Sequence, residues 1–578
     1  MRMQRRFLLL CGLCVLVAAT VAAAPQQPTH APHAMVASVH ELASRAGLEV
    51  LRSGGNAVDA AVATGFALAV VHPQAGNLGG GGFLLLRNAN GKVHFIDFRE
   101  KAPAAATENM YLDAQGNVIP ESSTDSSIVG YKSIGVPGTV AGLIYAEKQY
   151  GKLSIEKVMA PAIKLARDGF PLAAQDAQAF KDDQYLARFP ESRRVFLRNG
   201  NYYRPGELFK QPELAHTLER LARDPDTFYH GAMARELAAA IRKGGGLVTA
   251  EDLAAYEVKE RLPIRGSYRG YDIISAPPPS SGGVALIEIL NILEGFDLAK
   301  LGNRSAEAIH LEAEAFRRAF YDRADLMGDP DFAKIPVAQL IDKKYAEAWR
   351  DSIDLNHASA SRDLKRPSFD ELERVAQSHS AAIPEPQNTT HFSVVDAEGN
   401  AVSLTTTLND SFGSRVTAEG LGFLLNDEMD DFAAKQGVPN TYGLIQGPAN
   451  AIGPGKRPLS AMTPTIVLKD GKLFLVLGSP GGPTIITTVA NILIGVVDFS
   501  LDIQEAVNAT RFHQQWLPDE ILVEDSLSPD TMNVLRSKGQ KLHVNRPWGD
   551  GECIMVDPKT GERLGASDGR NHGKAVGY

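Results

Sequence analysis

Asn388-Thr389-Thr390-His391-Phe392-Ser393-Val394 begins a segment with the pattern of a β-hairpin. Residues 392–395 are apolar and β-rich, residues 396–400 have turn composition, and residues 401–408 form a second strand rich in Thr. We expect this hairpin to lie inside a sheet, with Thr389 at the start of a strand.

A Thr at the head of an interior strand suggests a specific chemistry. If the peptide bond before Thr389 were cut, the freed α-amine, with an ordinary pKa of roughly 7.7–8.0, would lie beside the residue's own hydroxyl. A hydroxyl with an amine as its base is a complete nucleophile for acyl transfer. The alternative is that Thr-Thr at a strand start reflects β-propensity alone. The pattern by itself leaves both interpretations open.

Length and composition limit the class of protein. A chain of 578 residues can bury a large core, as one big domain or two closely packed parts. Its 53 glycines favour a turn-rich α/β or α+β protein. The formal charge of −9 argues against nucleic acid as a partner, because such partners require clustered Lys and Arg.

The N-terminus has the features of a secretory signal peptide. Arg2, Arg5 and Arg6 precede an apolar run over residues 7–21, and Val21-Ala22-Ala23 is a small-residue cleavage pattern. Residues 1–23 are therefore predicted to be removed, which leaves no membrane anchor and a periplasmic or secreted protein. The alternative is a membrane anchor, for which the run is short.

Cysteine usage excludes an internal disulfide in the mature chain. Of the three Cys residues, only Cys553 lies beyond the signal peptide. We expect Cys553 to be a buried thiol.

The remaining chain alternates helices with hairpins. Four consecutive glycines, residues 79–82, precede a strand and lack a following Gly-Lys-Ser/Thr, so they indicate close backbone packing and not a phosphate-binding loop. The predicted helices are 39–51, 57–71, 284–327 and 484–497, together with a mainly helical region at 151–256. The predicted strands are 83–86, 93–98, 465–468 and 473–477. This order implies two sheets stacked between helix layers.

Several short motifs occur together in one order and spacing. They are Asp97-Phe98-Arg99, Gly135-Val136-Pro137-Gly138, residues 277–283 (PPPSSGG), Thr389-Thr390-His391, residues 425–432 (LNDEMDDF), residues 456–460 (KRPLS) and residues 478–482 (GSPGG). With these motifs the chain resembles the γ-glutamyltranspeptidases (glutathione hydrolases) of the bacterial periplasmic type, over roughly residues 34–578.

The resemblance implies an α+β fold, the αββα sandwich of the N-terminal nucleophile hydrolases. It also implies that one precursor is cut at the Asn388–Thr389 bond. The products would be a large subunit of residues 24–388 and a small subunit of residues 389–578, which remain together as a heterodimer.

The resemblance also assigns roles. Thr389 would be the nucleophile and its α-amine the base, Thr407 would orient this centre, and Gly481 and Gly482 would donate backbone N–H groups to the oxyanion. The α-carboxylate of a γ-glutamyl donor would bind Arg99 and Ser460. Its α-ammonium would bind Asn409, Glu428 and Asp431.

Two positions affect how closely the family's donor-binding residues match this chain. The family usually has a second Ser after Ser460, where this chain has Ala461; losing that hydroxyl weakens carboxylate binding by roughly 1–3 kcal/mol if nothing replaces it. At Glu428 the family uses either Gln or Glu.

By the same resemblance, residues 435–449, with Tyr442, correspond to a lid that many members of the family have and some lack, and we expect it to restrict acceptor access and exclude water. His391 and His513 are expected to be structural, because the terminal amine already supplies a base. No metal or cofactor is expected in catalysis.

The resulting prediction is an enzyme that forms a γ-glutamyl–Thr389 ester from glutathione or other γ-glutamyl amides. It would pass the acyl group to water, amino acids or dipeptides. Alternatives on the same fold are a β-lactam side-chain (glutaryl) acylase and a poly-γ-glutamate transpeptidase. A non-enzymatic binding protein is a further alternative, against which the presence of Thr389, Thr407, Gly481 and Gly482 speaks.

Overall fold

The computed structural model describes residues 26–367 and 389–578. The helices are α1 (Glu41–Arg52), α2 (Ala57–Val71), α3 (Thr139–Tyr150), α4 (Ile155–Asp168), α5 (Ala174–Asp182), α6 (Pro190–Phe196), α7 (Pro212–Arg223), α8 (Ala232–Lys243), α9 (Ala250–Ala254), α10 (Gly282–Leu293), α11 (Leu298–Leu301), α12 (Ala306–Leu326), α13 (Val337–Leu340), α14 (Lys343–Asp351), α15 (Thr484–Val497), α16 (Ile503–Asn508) and α17 (Pro529–Ser537).

The strands are β1 (Thr29–Ala31), β2 (Met35–Ser38), β3 (Gly81–Arg87), β4 (Val93–Phe98), β5 (Phe170–Pro171), β6 (Leu197–Arg198), β7 (Asn201–Tyr202), β8 (Leu208–Phe209), β9 (Lys259–Arg261), β10 (Ile264–Tyr268), β11 (Tyr271–Ser275), β12 (Thr389–Val395), β13 (Ala401–Thr407), β14 (Thr465–Lys469), β15 (Lys472–Leu477), β16 (Phe512–His513), β17 (Ile521–Glu524), β18 (Leu542–Asn545), β19 (Cys553–Val556), β20 (Arg563–Ala566) and β21 (Lys574–Gly577).

Two seven-stranded antiparallel sheets dominate the described part of the chain. The first has the order β21-β2-β12-β13-β3-β4-β9, and the second has the order β1-β20-β19-β15-β14-β11-β10. The Thr389 hairpin, β12 and β13, therefore occupies the middle of the first sheet, with Thr389 paired opposite Thr407. Its central position explains why both strands are buried along their whole length.

Alternating side chains of the first sheet face two different apolar layers. Phe83 and Leu85 of β3 point between the two sheets, where they join the side chains of β14 and β15. Leu84 and Leu86 point the other way, onto the layer that contains α2. Because both faces are covered, residues 83–86 of β3 form a continuous apolar run and not an apolar–polar alternation.

Helices complete the outer layers. The fully buried α2 packs between α1 and α4 over the first sheet, and its first turn is closed by a capping box between Asn56 and Asp59. On the other side α10 packs on β10 and β11 and contacts α12 and α15. The predicted αββα sandwich is confirmed.

The glycines at 79–82 allow the start of β3 and the residues before it to lie very close to the backbone of the neighbouring strand β13. A Cβ on Gly80 would lie 1.9 Å from the Thr407 carbonyl oxygen, and one on Gly82 would lie 2.3 Å from that of Thr405. The prediction of close backbone packing is confirmed, and it matters because β3 supports the strand that carries Thr407.

Most predicted elements have the expected bounds, with two differences. The helix predicted at 39–51 begins at Glu41, because residues before it form β2 and the His40 side chain caps the helix. The helix predicted over 284–327 is three helices, α10, α11 and α12, since the chain turns after Leu293 and again at Gly302, whose φ is +87°. The predicted signal peptide and Asn388 lie outside the described residues. In the described ranges, no helix has the length and apolarity needed to cross a membrane.

Candidate active site

Thr389 is the first residue of β12, and its hydroxyl faces the hydroxyl of Thr407 across the hairpin. The two Oγ1 atoms are 3.2 Å apart, and both residues are buried. The Thr407 Oγ1 also accepts a hydrogen bond of 2.9 Å from the backbone N–H of Asn409. Asn409 has a φ of +81°, a conformation that Asn tolerates better than most residues. The turn after β13 thus places two of the predicted site residues beside Thr389.

A small cavity of about 20 Å³ brings the predicted residues together. A volume of this size holds about one water molecule. Its lining includes Thr389, Thr407, Gly482, Arg99, Asn409, Glu428, Asp431 and Ser460, with Arg323, Tyr442, Leu444, Ala461, Met462, Pro483 and Ile485. Of the site residues predicted within the described ranges, only Gly481 is not in the lining, and it is bonded directly to Gly482.

Gly481 and Gly482 form the turn that leads into α15. Gly482 has a φ of +54°, and a Cβ there would lie 2.9 Å from the ring of Tyr442. Both the conformation and the space therefore require glycine. The N-terminus of α15 begins two residues later and contributes partial positive charge at this end of the cavity.

Arg99 lies at the centre of a buried charge cluster. Its guanidinium donates hydrogen bonds to Glu428 and to Asp431, its Nε donates to the Pro458 carbonyl oxygen at 3.2 Å, and Glu100 lies 3.5 Å away. Burial raises the pKa of Glu428 well above its usual range and that of Glu100 to about 7. Burial therefore favours the neutral forms of Glu428 and Glu100 relative to exposed carboxyl groups.

The other predicted donor-binding residues are held by the backbone and by the lid. Tyr442 lines the cavity and donates a hydrogen bond from its hydroxyl to the Asn409 side-chain oxygen at 2.8 Å, so the predicted lid residue contacts a predicted binding residue. The Ser460 hydroxyl accepts a hydrogen bond from Met462 N–H at 3.1 Å. Ala461 lies beside it in the lining.

Arg323 is a cavity residue that sequence reasoning missed. Its Nε donates to the Ser281 hydroxyl at 2.9 Å, and Ser281 in turn donates to the Ser460 carbonyl oxygen at 2.7 Å. Its Nη1 is buried without a hydrogen-bond partner in the described part of the chain, and burial lowers the pKa of Arg323 to about 10. No sequence signal distinguishes this residue from the other arginines of α12.

The two histidines singled out in the sequence and the lone mature cysteine do not line the cavity. His391 contacts Thr405 and Ser393 under Gly478, and burial lowers its pKa to about 3. His513 lies between Thr487 and Gln515, and burial lowers its pKa to about 4. Cys553 is a buried free thiol, as predicted.

Stacked sheets between helix layers, with a strand-initiating Thr at the cavity, define an N-terminal nucleophile hydrolase fold. The model of one family, gamma-glutamyltranspeptidase, matches residues 43–578. The chain belongs to this family.

Individual relatives support the same family assignment. The chain is 49% identical to a glutathione hydrolase proenzyme of Escherichia coli (strain K12), over 97% of this chain and 96% of the relative. It is 48% identical to a glutathione hydrolase proenzyme of Pseudomonas sp. (strain A14), over 96% of each. Among solved structures, cephalosporin acylase from Bacillus halodurans superposes with a TM-score of 0.82 at 26% identity, over 96% of this chain and 98% of that one. The Helicobacter pylori gamma-glutamyltranspeptidase structure is 47% identical with a TM-score of 0.55, over 56% of this chain and 93% of that chain.

Proposed function

We propose that the protein is a γ-glutamyltransferase and glutathione hydrolase whose nucleophile is the Thr389 hydroxyl. One observation carries the proposal. Thr389 is the first residue of a buried strand, and its hydroxyl lies 3.2 Å from Thr407 in a cavity that also holds Arg99 and Asp431. That cavity combines a nucleophile with charges of both signs, as an α-amino-acid donor requires.

The nucleophile becomes competent when the Asn388–Thr389 bond is cut. The Thr389 hydroxyl attacks the Asn388 carbonyl, the amide nitrogen leaves as the new α-amine, and water hydrolyses the resulting ester. The products are a large subunit of residues 24–388 and a small subunit of residues 389–578. They remain a heterodimer because β12 and β13 pair with β2 and β3 along the first sheet. The relatives' designation as proenzymes supports such a cleavage.

In the catalytic cycle the α-amine accepts the hydroxyl proton as Oγ attacks the γ-carbonyl of the donor. The N–H groups of Gly481 and Gly482 stabilise the tetrahedral oxyanion. The amine then returns its proton to the leaving nitrogen, which departs as cysteinylglycine when glutathione is the donor. Water or an amino acid attacks the γ-glutamyl ester and frees Thr389.

Donor recognition uses both signs of charge in the cavity. Arg99 and Ser460 bind the α-carboxylate, whereas Asn409, Glu428 and Asp431 bind the α-ammonium. A donor carboxylate would replace one of the two acids that Arg99 now holds. Because the cavity of about 20 Å³ is far smaller than a γ-glutamyl group, Tyr442 and its loop must move to admit it.

A glutaryl acylase is the second candidate. A 36% identical relative is named acylase ACY 1 proenzyme, and the Bacillus halodurans cephalosporin acylase shares the fold. A glutaryl donor lacks the α-ammonium, so it would leave Asp431 without a substrate partner; this favours the γ-glutamyl donor.

We further propose that residues 1–23 direct the protein to the periplasm.

The test is denaturing electrophoresis with N-terminal sequencing of the smaller band, followed by turnover of γ-glutamyl- and glutaryl-p-nitroanilide. We expect a small subunit that begins at Thr389 and a preference for the γ-glutamyl substrate. Thr389→Ala should remain one inactive band. Thr390→Val is the matched control and should be cut, since the Thr390 hydroxyl has no hydrogen-bond partner in the described residues. A different N-terminus refutes the nucleophile, and a glutaryl preference refutes the donor.

A further inference from the structure

A second buried cluster of polar side chains lies outside the Thr389 cavity. His40 precedes α1, Asp176 lies in α5 and His572 precedes β21, and none of the three lines that cavity. We propose that His40, Asp176 and His572 form a binding site for a divalent transition-metal ion, with Zn²⁺ as the preferred ion.

The distances suit a single ion. One ligand atom from each residue lies within 4.8 Å of the other two. The His572 Nε2 and Asp176 Oδ2 atoms are 3.3 Å apart, and the His40 Nε2 lies 3.9 Å from the same oxygen. Two ligands of a tetrahedral Zn²⁺, with bonds of roughly 2.0–2.1 Å, are separated by roughly 3.3 Å. The first distance therefore matches directly, and the second requires a small movement of His40.

The cluster contains polar atoms that lack partners. Both carboxylate oxygens of Asp176 and the Nε2 of His572 are buried and make no hydrogen bond in the described part of the chain. Asp176 is only 2% exposed. A buried carboxylate without hydrogen bonds is strongly unfavourable, and such groups are rare in folded proteins. A cation between the Asp176 Oδ2 and the His572 Nε2 would satisfy both of these atoms.

A His572–Asp176 ion pair is the competing explanation. At 3.3 Å the two atoms are close enough for a hydrogen bond, yet neither makes one, so the ring nitrogen is not directed at the oxygen. An ion pair alone therefore leaves the carboxylate poorly satisfied.

The protonation of the two rings suits ligation to different degrees. The His572 Nδ1 bonds to the Gln175 side-chain oxygen, an acceptor, so Nδ1 carries a proton and neutral His572 has a lone pair on Nε2. The His40 Nδ1 accepts from Leu42 N–H at 3.2 Å, so ligation through Nε2 moves the ring proton to Nδ1 and gives up that bond.

The donor set determines the class of ion. Two imidazole nitrogens and one carboxylate oxygen favour Zn²⁺, Co²⁺ or Ni²⁺ over Ca²⁺ and Mg²⁺, which prefer oxygen ligands. His72 lies with its Nδ1 3.8 Å from the other Asp176 oxygen, where it can hold the carboxylate or approach as a fourth ligand.

The location indicates what the ion would stabilise. His572 leads into β21, which pairs with β2, and β2 pairs with the strand that begins at Thr389. The ion would fasten the C-terminal strand to α1 and α5. The site itself does not depend on the proposed function; only its role as a link between two subunits does.

The test measures metal directly on tag-free, full-length protein. After treatment with EDTA and equilibrium dialysis against Zn²⁺, elemental analysis should find one tightly held Zn²⁺ per wild-type chain. Co²⁺ in its place should give the strong visible absorption of a four-coordinate ion. Zn²⁺ should also raise the melting temperature, because it binds only the folded state.

Asp176→Asn and His572→Gln should lose the bound Zn²⁺ and the thermal shift. His543→Gln is the matched control, because His543 is an exposed histidine near Glu520, and it should retain both. Turnover of γ-glutamyl-p-nitroanilide and near-ultraviolet circular dichroism establish that each variant is folded. Wild-type protein that retains no Zn²⁺ and shows no thermal shift overturns the proposal. Equal Zn²⁺ retention by Asp176→Asn also overturns it.

Discussion

Arg323 is a candidate partner for the donor α-carboxylate, and replacing it tests whether it compensates for Ala461. If the Arg323 Nη1, which has no hydrogen-bond partner among the described residues, donates to the donor α-carboxylate, replacing the residue with Met removes one charge-assisted hydrogen bond in a buried cavity. Such a bond contributes about 1.5–3 kcal/mol. We therefore expect Arg323→Met to raise KM for γ-glutamyl-p-nitroanilide roughly 10- to 150-fold, at about 1.4 kcal/mol per tenfold change.

The assay must separate binding from folding, because Arg323 also holds Ser281 and through it the backbone of Ser460. The comparison substrate is 4-aminobutyryl-p-nitroanilide, which lacks only the α-carboxylate. Arg323→Met should change KM for this substrate little, and Arg323→Lys, which keeps the charge, should recover part of the loss with the normal substrate.

Ala461→Ser completes a double-mutant cycle. Alone it should lower KM for glutathione, and in the Arg323→Met background it should lower KM by a larger factor, since the restored hydroxyl then has no competing donor. Contacting groups typically couple by about 0.5–3 kcal/mol. Equal KM increases for both p-nitroanilides, or strict additivity in the cycle, would refute carboxylate binding by Arg323.

Three further changes probe the same cavity. Burial raises the pKa of Glu428, so the wild type loses folding stability as pH rises above 4.5, and Glu428→Gln should stabilise the protein increasingly over that range. Chemical denaturation of both proteins at pH 5 and pH 9 tests this. Equal differences in unfolding free energy at the two pH values would contradict it. Thr407→Val should lower kcat roughly 2- to 10-fold, because it removes a hydrogen bond that contributes about 0.5–1.5 kcal/mol, whereas Thr407→Ser should not lower kcat. Equal kcat values for the two variants would contradict a role for the Thr407 hydroxyl in orienting Thr389. Gly482→Ala should lower the stability of the folded protein by about 1–3 kcal/mol and reduce turnover, because φ at this position is +54° and the new methyl group would lie against the Tyr442 ring. An unchanged melting temperature would contradict this.

Local patterns in the sequence were sufficient for most of the fold. Helices 57–71 and 484–497 have the predicted bounds, because burial on all sides gives mainly apolar runs. Strand 93–98 also has its predicted bounds. The single helix predicted over residues 284–327 is three helices in the structure. The helical spacing of apolar residues continues across the short turns between them, so this spacing alone does not reveal the turns.

The candidate site was predictable where a motif carried it. Arg99, Asn409 and Asp431 were placed by resemblance, and they do line one cavity with Thr389. Their composition alone indicated only an acidic turn and a strand end, because residues 329 positions apart, such as Arg99 and Glu428, carry no local sign that they will meet.

By itself, the sequence determined the strands, the helices and the presence of a Thr at the head of an interior strand, since these depend on hydrogen bonds and apolar contacts among near neighbours. Only the tertiary structure decided that Arg99 is held by two acids, that Arg323 lines the cavity with an Nη1 that has no partner in the described residues, and that His40, Asp176 and His572 converge. Those arrangements depend on which strands pair and how the layers stack. That packing brings charged side chains together that are far apart in the sequence, so no local sequence pattern can identify such pairs.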